Sequence, residues 1–139
     1  SEAVPKRAPT LGEIVKNNGW ESLLGDWVDA STRGEFQVSL GWKIKNRLLE
    51  MSFTEQAGST IASINIDPSS GEIVHSGINP LGASITGTWD FAVEEGPRFD
   101  GKYLSPEGAE GGLSIQMIPQ DNDALLFKIA QSTISMMRK

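Results

Sequence analysis

One histidine and a few scattered carboxylates are the residues that could do chemistry in this chain of 139 residues. His75 lies in the segment EIVHSGI, whose side chains alternate as in a strand. A serine–histidine–aspartate triad would have to use His75, but no G-x-S-x-G turn is present to hold the serine. A single histidine on a strand is typical of a structural or surface group, so the sequence favours a protein that is not an enzyme.

The carboxylates do not predict an acid–base pair or a metal site. Asp67, Asp90 and Asp100 fall on different predicted strands, and Asp90 alternates with Trp89, so it faces solvent if the tryptophan faces inward. The segment DPSSGE resembles the start of a calcium loop, but it lacks the alternating acidic ligands and the later glutamate. The chain has no cysteine, which excludes disulfides and thiolate metal ligands. We therefore predict no metal and no cofactor.

The charge of the chain also narrows the choice of partners. The net charge is −6 and the basic residues are dispersed, whereas a nucleic-acid-binding protein normally has a basic face. No apolar run approaches the roughly 20 residues of a membrane span. We expect neither nucleic acid nor a membrane-spanning segment. The compartment stays open between the cytoplasm and export after removal of a signal peptide.

Before the strands comes a short helix. Residues 1–9 are interpreted as a flexible lead-in, and residues 10–139 as one domain. Thr10 and Glu13 have the spacing of a capping box, which predicts a helix that ends near Asn17, Asn18 and Gly19.

From residue 25 onward the apolar period changes from helical to two. The segment GEFQVSLGWKI places five apolar residues on one face and polar residues or glycine on the other. Eight turn signals then divide the chain into about nine or ten strands with no helix between them. Short turns join antiparallel neighbours, and closing such a sheet removes its exposed edges. We predict an all-β, closed or nearly closed up-and-down barrel; an open β-sandwich is the alternative.

Three short motifs give the chain a resemblance to the calycin group, which contains the lipocalins. They are LLGDW at residues 23–27, DPSSGEI at 67–73 and GTW at 87–89, and they resemble the pattern of uncharacterised bacterial lipocalin-like domains. In lipocalins the first tryptophan closes one barrel end beneath the N-terminal helical segment, so the resemblance implies that Trp27 is a structural plug. Nitrobindin-like haem barrels need a histidine near the C-terminus, which this chain lacks, so haem is not expected.

The resemblance implies binding of a small apolar or amphipathic molecule inside the barrel. A filled core is the alternative, because core and pocket linings have the same composition. A non-enzymatic accessory or interaction domain of a longer bacterial protein is a second hypothesis, and an enzyme acting on a lipid-like substrate is a third. Arg98 is a further candidate polar contact. The predicted ligand-binding residues are Val38, Leu40, Trp42, Met51, Phe53, His75, Ile85, Trp89, Phe91 and Tyr103.

The predicted outward positions of the strands are mostly polar. Gln37, Lys43, Ser84, Thr86 and Thr88 are examples. Without a continuous apolar patch on the outer faces, we expect a monomer or a weak homodimer.

Overall fold

The computed structural model describes residues 7–31 and 34–139, which form an antiparallel barrel of ten strands. Each strand pairs with its neighbours in the chain, and β1 closes the barrel by pairing with β10. This confirms the predicted all-β, up-and-down barrel preceded by a short helix. The strands are β1 Gly25–Asp29, β2 Gln37–Ile44, β3 Leu48–Glu55, β4 Gly58–Ile66, β5 Ile73–Ile78, β6 Ser84–Asp90, β7 Arg98–Leu104, β8 Glu110–Asp121, β9 Ala124–Ile129 and β10 Ser132–Arg138.

The helix α1, Leu11–Asn17, begins with the predicted capping box. The Thr10 hydroxyl accepts from the Glu13 backbone N–H at 3.1 Å, and the Glu13 carboxylate accepts from the Thr10 N–H at 3.0 Å. Arg7 also donates to Glu13, and this pairing with the cap hydrogen bonds lowers the pKa of Glu13 to about 2. A 3-10 helix, Glu21–Leu23, then leads into β1. Residues 1–6 of the predicted lead-in and residues 32–33 of the predicted turn at residues 31–34 lie outside the described residues.

Two local features depart from the expected strand pattern. The hairpin between β9 and β10 turns at Ala130, where neither glycine nor proline gives a turn signal in the sequence. The φ of Ala130 is 53°, which is unusual for a residue with a side chain. The second is a bulge in β2 between Trp42 and Ile44, where the pairing with β3 shifts by one residue. Because of that shift, Ile44 is 58% exposed instead of sharing the inner face.

The barrel interior is filled by side chains that alternate inward along every strand. Phe99, Phe127 and Met51 are completely buried, and the core extends from the helix α1 through the strands to β10. Glycine is needed where two backbones approach closely: a Cβ on Gly96, for example, would overlap the backbone of Met117. The interior is therefore a packed core for most of its length.

Candidate functional site

A cavity of about 370 Å³ lies at one end of the barrel, here called the mouth. Its lining residues come from the ends of strands that meet at this edge, and they combine apolar walls with a few polar groups. The apolar lining residues are Phe36, Phe53, Ile85, Leu113, Ile129 and Ile134, and the polar ones are Glu55, Thr60, Asn79 and Ser132.

Three aromatic rings pack at this end. Phe36 and Phe53 stack with their centres 6.3 Å apart, and each contacts Phe127 at 5.8 and 5.6 Å respectively. Phe127 is completely buried, whereas the other two rings line the cavity. Such a cluster holds its shape because each ring is fixed by two others.

The opposite end, here called the closed end, is sealed by α1, the 3-10 helix and Trp27. Trp27 is 2% exposed, and its indole N–H donates to the Leu23 carbonyl at 3.0 Å. The Arg138 guanidinium lies 4.2 Å from the centre of the Trp27 ring. Arg138 also donates to the carbonyls of Ser22 and Leu24 at 2.7 and 3.1 Å, which ties β10 to the segment before β1. The void between the helical segment and the strands at this end, lined by Val15, Leu23 and Leu40, measures only about 10 Å³.

The ten predicted ligand-binding residues separate into groups. Phe53 and Ile85 line the mouth cavity, and Tyr103, the partner of Ile85 on β7, lies on the same face with 39% exposure. Trp42 is half-buried against the core and borders a shallow outer groove. His75 is buried between the two ends. The remaining five are part of the packed core: Val38, Leu40, Met51, Trp89 and Phe91.

His75 is the most unusual polar group inside the barrel. It is 2% exposed, and its Nδ1 accepts a hydrogen bond of 3.0 Å from the Trp89 indole N–H. Because the indole can only donate, Nδ1 is unprotonated and the neutral ring carries its proton on Nε2. Nε2 has no hydrogen-bond partner among the residues that the structure describes. Burial lowers the pKa of His75 to about 4, so the ring is neutral at pH 7.

This hydrogen bond also bears on metal and haem binding. A metal bound at Nε2 would move the proton to Nδ1, where it would face the donating N–H of Trp89. Within residues 7–31 and 34–139, no cluster of three histidine, aspartate or glutamate side chains has metal-binding geometry. His75 is therefore better suited to donate a hydrogen bond than to bind a metal.

The three aspartates singled out in the sequence, Asp67, Asp90 and Asp100, stay apart on the outside of the barrel. Asp90 accepts from the backbone of Ala92, and Asp67 accepts from the Ser69 N–H and hydroxyl within its turn, which lowers the pKa of Asp67. Arg98, a predicted polar contact, pairs with Asp100 at 3.2 Å on the outer surface. None of these groups converges with His75.

The outer surface is less uniformly polar than the sequence indicates. Ile61 of β4 lies directly opposite Ile78 of β5, and the row continues through Ser84 to Leu104 of β7. These isoleucines and Leu104 are 45–57% exposed, and Leu81 in the nearby turn is 82% exposed. We call Ile61, Ile78, Leu81 and Leu104 the outer apolar row. It lies beside the mouth, since Asn79 and Ile85 of the same hairpin line the cavity.

Sequence reasoning missed several mouth residues, including Leu113, Ile129 and Ile134. Their alternation is visible in the sequence, but membership of the mouth depends on how the tilted strands are staggered around the barrel. Arg138 was missed as well, because a terminal arginine gives no signal that its guanidinium will cover a tryptophan more than a hundred residues away.

No helix in the part of the chain that the structure describes has the length and apolarity to cross a membrane. The closed antiparallel barrel is consistent with a calycin or lipocalin-like fold. No protein-family model matches this chain, and a search of curated proteins finds no match either.

Proposed function

We propose that the chain is a lipocalin-like protein that binds a small apolar or amphipathic molecule at the mouth of the barrel. The observation that carries this proposal is the mouth cavity, whose apolar walls and polar edge have the composition expected of a ligand site. Its volume of about 370 Å³ is near the lower end of the range for such sites, which favours a compact ligand over a long lipid chain.

The mouth cavity is too shallow to enclose a whole ligand in the centre of the barrel. Side chains such as Met51 and Phe99 leave no exposed area in the interior. A ligand at the mouth would instead cover Phe36, Ile129 and Ile134, which are only half-buried. Covering them contributes about 25 cal/mol per Å² of apolar area removed from water.

The polar edge of the mouth also limits the charge of the ligand. Glu55 is the charged residue among the described lining residues, and Thr60 and Ser132 add hydroxyls. A negatively charged headgroup would be repelled by Glu55, whereas a neutral polar group would find hydrogen-bond partners. We therefore propose an amphipathic ligand that carries no negative charge.

The experiment fills the mouth without altering the core. Ser132 lines the cavity, whereas Ser135 is an exposed residue of the same strand on the outer face. We expect Ser132→Trp to weaken binding of N-phenyl-1-naphthylamine at least tenfold, and Ser135→Trp to leave it unchanged. Fluorescence titration measures both dissociation constants. Equal binding by the two variants would contradict a site at the mouth.

A second candidate function, an interaction domain, is favoured by the outer apolar row. Exposed apolar side chains that lie next to one another are typical of contact surfaces. If a second copy of the chain covers this row, Ile78→Lys should lower the molar mass measured by light scattering at high protein concentration. A mass of 15 kDa for the unmodified protein at every concentration would exclude self-association through this row.

A further inference from the structure

A gap in the inner wall of the barrel separates His75 from the mouth cavity. Inward-facing positions that pair across adjacent strands form a row around the wall. Two glycines without side chains stand between the histidine and the leucine that lines the cavity. The row runs through Ile64, His75, Gly87, Gly101 and Leu113.

One side chain fills this gap. A Cβ on Gly87 would lie 2.7 Å from the Phe99 ring, and a Cβ on Gly101 would overlap the same ring, so Phe99 lies across both glycines. The Phe99 and His75 rings also contact each other, with centres 4.5 Å apart. Phe99 therefore separates the mouth cavity from the histidine, and a ligand group reaches His75 only if this ring moves aside.

The histidine has a buried donor that finds no partner within residues 7–31 and 34–139. The Trp89 N–H fixes the ring through Nδ1, so the proton lies on Nε2. A buried donor that is left without a partner destabilises the folded protein. A water molecule is a poor substitute, because buried waters usually have two to four polar partners. Among the described residues, the other buried polar side chain is Asp29, which accepts from the N–H and hydroxyl of Ser31.

We infer that His75 is a hydrogen-bonding anchor for the ligand, donating its Nε2–H to a neutral carbonyl oxygen that enters past Phe99. The inference rests on the proposed function, and it narrows the ligand class to apolar molecules that carry a carbonyl group. A carboxylate is disfavoured because no buried cation is present in the described interior to offset its charge. The pKa of His75, about 4, keeps the ring neutral at pH 7.

The test compares acetophenone with ethylbenzene, which has a similar shape without the carbonyl, and with benzoate. His75→Asn is the main variant, because the amide oxygen can still accept from Trp89 while no donor remains at the Nε2 position. His75→Gln is its matched control, because its longer side chain can place an N–H near that position. Dissociation constants for all three probes are measured on each protein.

We expect the preference for acetophenone over ethylbenzene to fall about five- to tenfold in His75→Asn, the factor that one hydrogen bond of about 1 kcal/mol or slightly more contributes. His75→Gln should restore part of that preference. Comparing the two ligands on each protein cancels their different hydration. Acetophenone should bind the unmodified protein more tightly than benzoate.

A spectroscopic signal tests the contact without any variant. The chain contains one histidine, so its imidazole ¹⁵N signals are unambiguous. Acetophenone should shift the Nε2–H signal of the unmodified protein, and ethylbenzene should leave it in place. If acetophenone and ethylbenzene bind the unmodified protein and both His75 variants equally, and the Nε2–H signal does not shift, His75 is not an anchor for the ligand. Binding at the mouth would still be possible. If no probe binds, and Ser132→Trp and Ser135→Trp behave alike, the proposed function fails as well.

Discussion

The two ends of the barrel differ in how their inward-facing side chains are covered. At the closed end, Trp27 donates to a backbone carbonyl and lies under Arg138, and the void between the helical segment and the strands is about 10 Å³. At the mouth, neither of the helices in the described part of the chain lies over the cavity of about 370 Å³, and Phe36 and Ile134 stay half-buried. One continuous sheet forms both ends, so the difference comes from the segment before β1.

This comparison suggests a division of roles along the barrel axis. At the closed end, the Trp27 ring and the Arg138 guanidinium contact other groups of the protein, and these contacts stabilise the fold. The mouth leaves apolar area in contact with water, which a ligand can cover. Substitutions at the closed end should therefore change stability first, and substitutions at the mouth should change binding first.

The largest effect is expected at Trp27. Trp27→Ala should lower the free energy of unfolding by about 3–5 kcal/mol, because it removes a large buried ring and leaves a cavity. Trp27→Phe should lower it less, since much of the ring area is kept. Urea denaturation measures both, with midpoint shifts interpreted as stability only when the m-value is unchanged. An unchanged midpoint together with lost ligand binding would place Trp27 in the site.

The next effect concerns His75, which lies between the two ends. Its pKa is about 4 in the folded protein against roughly 6.5 when unfolded, so the unfolded chain binds the proton first as the pH falls. Stability should therefore decrease from about pH 6.5 to pH 4, by about 3 kcal/mol for a shift of that size.

The control for this pH dependence is His75→Gln, which does not titrate. Its stability should change much less over most of the same range, because the stability contributed by Glu13, whose pKa falls from 4.5 to about 2, and by Asp67, whose pKa is also lowered, is lost mainly below about pH 4.5. Urea midpoints at several pH values measure the difference. Parallel pH profiles for the two proteins would show that His75 is not held in its neutral form.

Much of the fold could be predicted from the sequence because strand periodicity and turn residues are local signals. The capping box at Thr10 and the inward set on β3 are examples, and both agree with the structure. The turn at Ala130 could not be predicted, since its backbone conformation is imposed by the pairing of β9 with β10.

The candidate site was less predictable for a different reason. Alternation shows which residues face inward, but it does not show how far along the barrel each one lies. Leu40 and Ile85 have the same pattern, yet the first borders the small void at the closed end and the second lines the mouth. Their positions along the axis follow from the tilt and stagger of the strands, which depend on all ten pairings.

A third prediction examines the cover of the closed end. Arg138→Met should lower the free energy of unfolding by about 2 kcal/mol, because the cation over Trp27 is lost and the Ser22 and Leu24 carbonyls lose a donor. Arg138→Lys should recover only part of this, since an ammonium group lacks the planar, forked geometry of the guanidinium. Thermal and urea unfolding both measure the change. If Arg138→Met lowers the free energy of unfolding no more than substitution of an exposed arginine does, Trp27 closes this end of the barrel without help from Arg138.

The smallest stability effect is expected at the mouth, and two leucines make the comparison direct. Leu23 is 2% exposed at the closed end, whereas Leu113 is half-buried and lines the mouth cavity. Leu23→Ala should lower the free energy of unfolding by about 2–5 kcal/mol, the usual range for a buried leucine. Leu113→Ala should lower it by about 1 kcal/mol, because less area is lost and the space joins an existing cavity.

Leu113→Ala should also increase the affinity for ligands larger than N-phenyl-1-naphthylamine, since the cavity is wider. Urea denaturation and fluorescence titration measure the two properties on the same samples. If both substitutions cost the same stability and leave binding unchanged, the two ends do not differ in role.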